Sequence, residues 1–264
     1  MLGAAIVFYL NSPPTEPRER DYIYAGSYYA FAFWIGLAVI GIFEVISSIV
    51  KNGKVAAIAA TLIGLSAPAL MAADGWDDHN RHNRFFSVDS ASNYLNSCAE
   101  HAVIYTGGDN DTFPLWYAQE VEGIRTDMRA VVLSYYNTDW YIEQTMRTAY
   151  ESKPIPYTLT AKQYRQGGPN DYLPFADFKL KSIDAKEYIN LLSKEYEQLR
   201  DGDRNLVPSK IFTLDINKDD LRARGIIPKT LDSLLVDQMQ IRLTKGALEK
   251  KDLAILDFLV SNNW

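Results

Sequence analysis

The sequence predicts an α/β protein: membrane helices at the amino terminus, then a soluble α/β domain with a mostly parallel sheet that starts as a Rossmann-like βαβα unit. Two apolar stretches, residues 28–50 and 55–73, each come near the roughly 20 residues that a helix needs to cross a bilayer. Beyond Asp74 no such stretch recurs, and from Ser87 onward helical and strand-like apolar periods alternate across polar turns.

The transmembrane region is expected over residues 1–73. Residues 1–10 are apolar but only about half a span long. No basic residue precedes them as in a secretory signal, so they read as the cut end of a membrane helix and the chain as a fragment. An outer loop, 11–27, leads to the spans 28–50 and 55–73. The connection Lys51-Asn52-Gly53-Lys54 carries two lysines and no acid, which by the positive-inside rule places it in the cytoplasm. The loop 11–27 and everything after Asp74 then lie outside.

Two residues interrupt the apolar pattern. Glu44 lies inside a span, where a carboxylate either serves a function or reaches back toward the interface. Pro68 is expected to kink or end the last span. Ala56, Ala57, Ala59, Ala60, Gly64 and Ala67 are small enough for close helix packing, which implies partner helices in a longer chain.

The formal charge is -6. Residues 1–73 balance four basic side chains (Arg18, Arg20, Lys51, Lys54) against four acidic ones (Glu16, Glu19, Asp21, Glu44), so the deficit belongs to the soluble part. Such a surface excludes nucleic acid as a partner. The single cysteine, Cys98, allows no internal disulfide, and about 190 residues suffice to build a core without one.

Residues 74–86 read as a juxtamembrane linker, with Trp76 suited to the headgroup region. Asp77, Asp78, His79 and Arg81 make it polar, but no spacing matches a metal site. No cofactor is expected, although these residues include ligand types that could hold a divalent cation.

The soluble domain is expected over 87–264. Ala91, Tyr94, Leu95 and Cys98 recur at helical spacing, and a strand follows at 102–106. Residues 107–112, Gly-Gly-Asp-Asn-Asp-Thr, break the chain before a helix at 113–122. A strand at 129–134, a turn at 135–138 and a helix at 139–150 repeat the theme. Both turns would lie at the carboxyl ends of neighbouring parallel strands, where open α/β sheets bind ligands.

Within the first turn, Asp111 or Thr112 is placed to cap the next helix and Pro114 to fit its first turn. Asp109 and Asn110 are not needed for capping and are free to meet a sugar hydroxyl, a cation or another loop. Two readings stay open: a capped turn that organises the sheet edge, or a ligand site built from Asp109, Asn110, Asp111, Thr112, Trp116, Asn137 and Asp139. The turn lacks the lysine and spacing of a phosphate loop. Trp116, Tyr117, Tyr135, Tyr136 and Trp140 gather around the turns, either as core or as stacking surfaces for carbohydrate.

Farther on, residues 153–174 are rich in proline and glycine and form an excursion over the sheet. A helix at 185–200, strands at 211–216 and 239–243, and a helix at 252–259 follow. The chain stops at Trp264 straight after a helix, so the domain reads as truncated there. No internal repeat is evident.

Three long motifs carry a resemblance. They are residues 11–22 (NSPPTEPRERDY), residues 75–81 (GWDDHNR) and residues 108–116 (GDNDTFPLW). In this order they resemble a large family of bacterial polytopic membrane proteins catalogued as a domain of unknown function, whose animal relative is a transmembrane protein O-mannosyltransferase. The resemblance implies a multi-spanning glycosyltransferase in the cytoplasmic (inner) membrane, with residues 74–264 on the extracytoplasmic side. It further implies a polyprenyl-phosphate sugar donor and an exported protein or glycan as acceptor. The general base would sit in an early outer loop upstream, so no catalytic residue is assigned here. The soluble domain would then be an acceptor or glycan platform. Arg18 and Arg20 would either contact the donor's phosphate or pair with Glu16, Glu19 and Asp21. The alternative is a non-catalytic membrane-anchored scaffold in envelope assembly or secretion.

Overall fold

The apolar stretches become helices: α1 (Leu2–Leu10), α2 (Ala25–Ile49) and α3 (Gly53–His79). The computed structural model describes residues 2–10, 21–225 and 227–262. The chain divides into two units between Asn83 and Arg84.

In the first unit, Tyr22–Ile49 and Gly53–His79 are long and apolar enough to cross a membrane, with mean hydropathy 2.1 and 2.0. Helix α2 buries none of its residues, and α3 buries only Ala56 and Ala60. Trp34 is 70% exposed and Leu62 65%. Such helices carry no water-facing polar side, and hydrocarbon is the solvent that suits them. The small residues work as packing points. A Cβ built on Gly64 would lie 2.6 Å from Val39 Cγ2, so glycine is what lets α3 approach α2. Asn52 starts α3 by accepting from the backbone N–H groups of Lys54 and Val55.

Helix α3 passes through Pro68 instead of ending there. One lost internal hydrogen bond is tolerated when some two dozen others hold the helix. It also runs on through Trp76, Asp77, Asp78 and His79, so the stretch read as a linker is helical at first and irregular only over 80–85. His79 Nδ1 lies 2.8 Å from Gly75 O and Arg81 donates to Asp78 O at 2.9 Å, both local contacts at the helix end. Arg18 and Arg20 lie outside the described residues.

The second unit begins with α4 (Phe86–Asn96), β1 (Val103–Thr106), α5 (Asp109–Glu120), β2 (Arg129–Val132) and α6 (Asp139–Thr145). Then come β3 (Tyr172–Pro174), β4 (Ile183–Asp184), α7 (Ala185–Ser193), β5 (Arg200–Asp201), β6 (Arg204–Asn205) and β7 (Ile211–Asp215). The order ends with α8 (Lys218–Ala223), β8 (Gln238–Arg242), β9 (Ala247–Glu249) and α9 (Lys250–Ser261).

Strands β1 and β2 are parallel, in register from Val103 against Arg129 to Thr106 against Val132, with α5 as the crossover. There the expected parallel pattern stops. β3 pairs antiparallel with β9, β5 with β6, and β7 joins β4 in parallel but β8 antiparallel. The expectation of one mostly parallel, Rossmann-like sheet is therefore corrected to several small, mixed sheets. After α6 the chain does not return with a third parallel strand. It enters a segment whose Pro154, Pro156 and Pro169 have no N–H to offer a ladder.

That excursion is held instead by side chains. Asp257 of α9 is fully buried and accepts from Thr158 N (2.8 Å), Leu159 N (2.9 Å) and Tyr164 Oη (2.8 Å). Lys250 Nζ, equally removed from solvent, lies 2.5 Å from Asp171 Oδ1. Around them Tyr136, Ile142, Tyr164, Tyr188, Phe212 and Leu253 form the main core. A smaller cluster of Ala91, Leu95, Leu115, Ala118, Met128 and Ala130 seats α4 and α5 on β2. Arg125 closes the end of α4 by donating to Leu95 O, Cys98 O and Ala99 O while it pairs with Asp127 at 2.7 Å. Orphan carbonyls at a helix end thus gain a cation, the favourable sign for that pole.

Candidate functional site

Strands β1 and β2 end together: the N–H of Leu133 donates to Thr106 O at 2.9 Å. The two turns read as candidate sites therefore leave one sheet edge, the place where parallel strands present loops to ligands.

The first turn is shorter than its sequence suggests. Helix α5 already begins at Asp109, preceded by Gly108 in extended backbone. Neither Asp111 nor Thr112 caps it, and Pro114 lies inside the helix beyond its first turn. The carboxylates of Asp109 and Asp111 in that first turn supply favourable charge where a side-chain cap is missing. Thr112 is fully buried, its hydroxyl 2.7 Å from Gly108 O and 2.6 Å from Thr106 Oγ1, so it drops out as a ligand residue. Asp109, Asn110 and Asp111 are exposed, and among the described residues their side chains make no hydrogen bond.

The second turn is occupied by structure. Asn137 accepts from Lys251 N at 3.0 Å and donates to Glu249 Oε2 at 3.3 Å. Asp139 accepts from Trp140 N at 2.7 Å and Gln166 N at 3.0 Å. The Gln166 amide, then that of Trp140, holds the Asp139 carboxyl below the usual carboxylate range. Lys251 and then Asn137 do the same for Glu249. Asn137 and Asp139 thus clasp α9 and the excursion to the end of β2.

Beside this edge lies a cleft that the turns did not announce. The outward-facing groups of β2 and of Met128 just before it are met by side chains: Gln119 donates to Met128 O (3.0 Å), Trp116 to Ala130 O (3.2 Å), and Tyr141 Oη accepts from Val132 N (3.1 Å). A row of rings follows, Phe113 to Trp116 at 5.7 Å, Trp116 to Tyr135 at 6.4 Å and Tyr135 to Trp140 at 5.9 Å between centroids. Of these, Trp116, Tyr135 and Trp140 bound a cleft of about 360 Å³, whose polar lining includes Glu120, Arg129 and Gln144. Glu120 accepts from Tyr150 Oη. Arg129 is half-buried and donates to Ser152 Oγ at 3.1 Å and Arg147 O at 2.8 Å, with no carboxylate in ion-pair range among the described residues. Burial lowers its pKa. Among the described residues no group of His, Cys, Asp and Glu is placed to hold a metal ion.

Residues 87–264 match the family model described as TMEM260-associated domain 2. The chain belongs to that family. No curated protein and no solved structure matches it. The match to a TMEM260-associated domain supports the relation to the TMEM260 mannosyltransferase family that the motifs implied.

In the TMEM260-associated domain the matched residues take in both strand-end turns and the whole cleft. Of the aromatics singled out, Trp116, Tyr135 and Trp140 line the cleft, Tyr136 is core, and Tyr117 is exposed and bonds Glu122. Sequence reading missed Gln119, Glu120, Arg129 and Gln144 as lining. A signal existed: Trp116 and Glu120, like Trp140 and Gln144, stand four residues apart, on one face of a helix each.

Proposed function

We propose that this chain is part of a multi-spanning membrane glycosyltransferase, O-mannosyltransferase-like, that uses a polyprenyl-phosphate sugar donor. Its TMEM260-associated domain acts as an acceptor or glycan platform on the extracytoplasmic side of the cytoplasmic membrane. One observation carries the reading: a domain of a mannosyltransferase-related family shares a chain with two helices of span length and membrane hydropathy. Exposed Asp109, Asn110 and Asp111 at the common strand edge are the proposed acceptor contacts, with Trp116 beside them. Asn137 and Asp139 hold that edge in shape. Arg18 and Arg20 are assigned to the donor's phosphate or the membrane surface, and the general base to a loop outside these residues. Trp76, Asp77, Asp78, His79 and Arg81 form the polar collar where the last span leaves the bilayer. No cofactor is invoked.

The test is sugar transfer by the full-length protein in membranes, supplied with a labelled polyprenyl-phosphate sugar and an exported acceptor protein. Transfer is expected. Absence of transfer with binding to an envelope partner intact would replace the enzyme with a scaffold. Sidedness is read separately by an Asp203→Cys, Cys98→Ser variant, since Asp203 is 92% exposed. An impermeant maleimide should label it in intact cells; labelling only after lysis reverses the orientation.

A further inference from the structure

The cleft along the outer edge of β2 has walls, volume and a balanced polar lining that the acceptor turn lacks. We propose that it binds neutral hexopyranose residues of a glycan, with Trp140 and Tyr135 as the stacking wall and Glu120, Gln144 and Arg129 as hydroxyl partners. The proposal rests on the platform reading above and locates its glycan site away from Asp109 and Asp111, which do not line the cleft.

Four features point to a sugar. First, Trp140 is 55% exposed yet held by ring contacts to Tyr135 at 5.9 Å and Tyr141 at 5.5 Å. An aromatic face that is open to solvent but already ordered loses little freedom when a pyranose ring stacks on it. Second, a volume of about 360 Å³ lies within the range of small-molecule sites. Third, the hydrogen-bonding groups are mixed. Glu120 offers an acceptor, and among the described residues neither Arg129 Nη1 nor the Gln144 amide makes a hydrogen bond. Sugar hydroxyls donate and accept, so they use such a set fully. Fourth, Glu120 and Arg129 are the charged residues in the lining and offset one another, which favours a neutral ligand over a phosphate or a uronate.

The same edge argues against an extended peptide. A peptide would add as a strand to free backbone groups, and those of β2 at Ala130 and Val132, with Met128 just before it, are already taken by Trp116, Tyr141 and Gln119.

The experiment is calorimetric titration of the full chain in lipid nanodiscs, free of glycoside detergents, with mannotriose, cellotriose and trigalacturonic acid. Binding of a neutral trisaccharide is expected. Trp140→Ala should weaken it at least about fivefold, Trp140→Phe far less, and Gln144→Ala measurably. Gln144 is exposed, so it keeps the test open if Trp140→Ala fails to fold. Preference for trigalacturonic acid overturns the neutral assignment. Saccharide binding that survives Trp140→Ala and Gln144→Ala but falls with Asp109→Ala plus Asp111→Ala overturns the cleft and keeps the platform. Loss of all saccharide and acceptor binding in the unmodified chain brings down both.

Discussion

Trp116 donates its indole N–H to the main-chain oxygen of Ala130, 3.2 Å away, and through that bond a helix residue closes the open edge of a strand. Among the described residues strand β2 pairs with β1 on one side only. An uncovered edge would offer a template for another chain. Replacing Trp116 by Phe keeps most of the ring and removes the donor. The expected loss is about 1 kcal/mol of stability, seen as a lower melting temperature, with more aggregation on heating. An unchanged melting temperature would show that the bond is incidental.

Asp127 gives the domain an acid-sensitive clasp. Arg125 beside it, then the His101 amide, holds its carboxyl well below the ordinary value of 3.8. A carboxylate depressed in the folded state adds stability that is fully present above pH 3.8 and lost as pH falls below it. Asp127→Asn should therefore flatten the drop in melting temperature between neutral pH and pH 3 while lowering the plateau. Parallel pH profiles for the variant and the parent would assign the acid sensitivity elsewhere.

Gly64 sets the distance between α2 and α3. Its Cβ position lies 2.6 Å from Val39 Cγ2, too near for any side chain without movement. Gly64→Ala should lower thermal stability in detergent by about 1–3 kcal/mol, the usual scale of overpacking. Val39→Ala in the same chain should restore most of it. Failure of the second change to rescue the first would place the helix contact elsewhere.

Asp109 and Asp111 are the exposed acids of the first strand-end turn. Their side chains make no hydrogen bond among the described residues and act on α5 only through the charge of its first turn, so Asp109→Ala with Asp111→Ala should lower the melting temperature by only about 2–4 °C. Binding of an exported acceptor protein, measured by pull-down with the full chain, should weaken. A fall in stability alone would make the turn a purely structural start to α5.

The elements themselves were largely legible. Strands read at 102–106 and 129–134 appear as Val103–Thr106 and Arg129–Val132, and a helix read at 139–150 appears as Asp139–Thr145. Apolar spacing marks them because each buries one face in a local cluster. The start of α5 was misread. Two glycines and three polar residues look like a turn, yet Asp109 and Asp111 enter the helix because acids suit its first turn. Thr112 was a reasonable cap by type, but its hydroxyl serves Thr106 in the interior.

The candidate site was half legible. Trp116 and Trp140 stand out as aromatics near turns. The roles of Asn137 and Asp139 do not, since their partners Lys251 and Gln166 are remote in sequence. Gln144 and Glu120 look like ordinary exposed positions on helices until two helices face one strand edge.

By itself the sequence determined what depends on neighbouring residues: the two span-length apolar helices, the βαβ start, and the acid-rich turn after β1. Only the tertiary structure decided how the remaining strands pair, that Thr112 is buried while Asp109 is exposed, and that a cleft opens beside β2. Periodicity and charge act over a few positions and can be read along the chain. Pairing, burial and clefts depend on groups a hundred residues apart, such as Asn137 and Lys251, which meet only after the chain has folded.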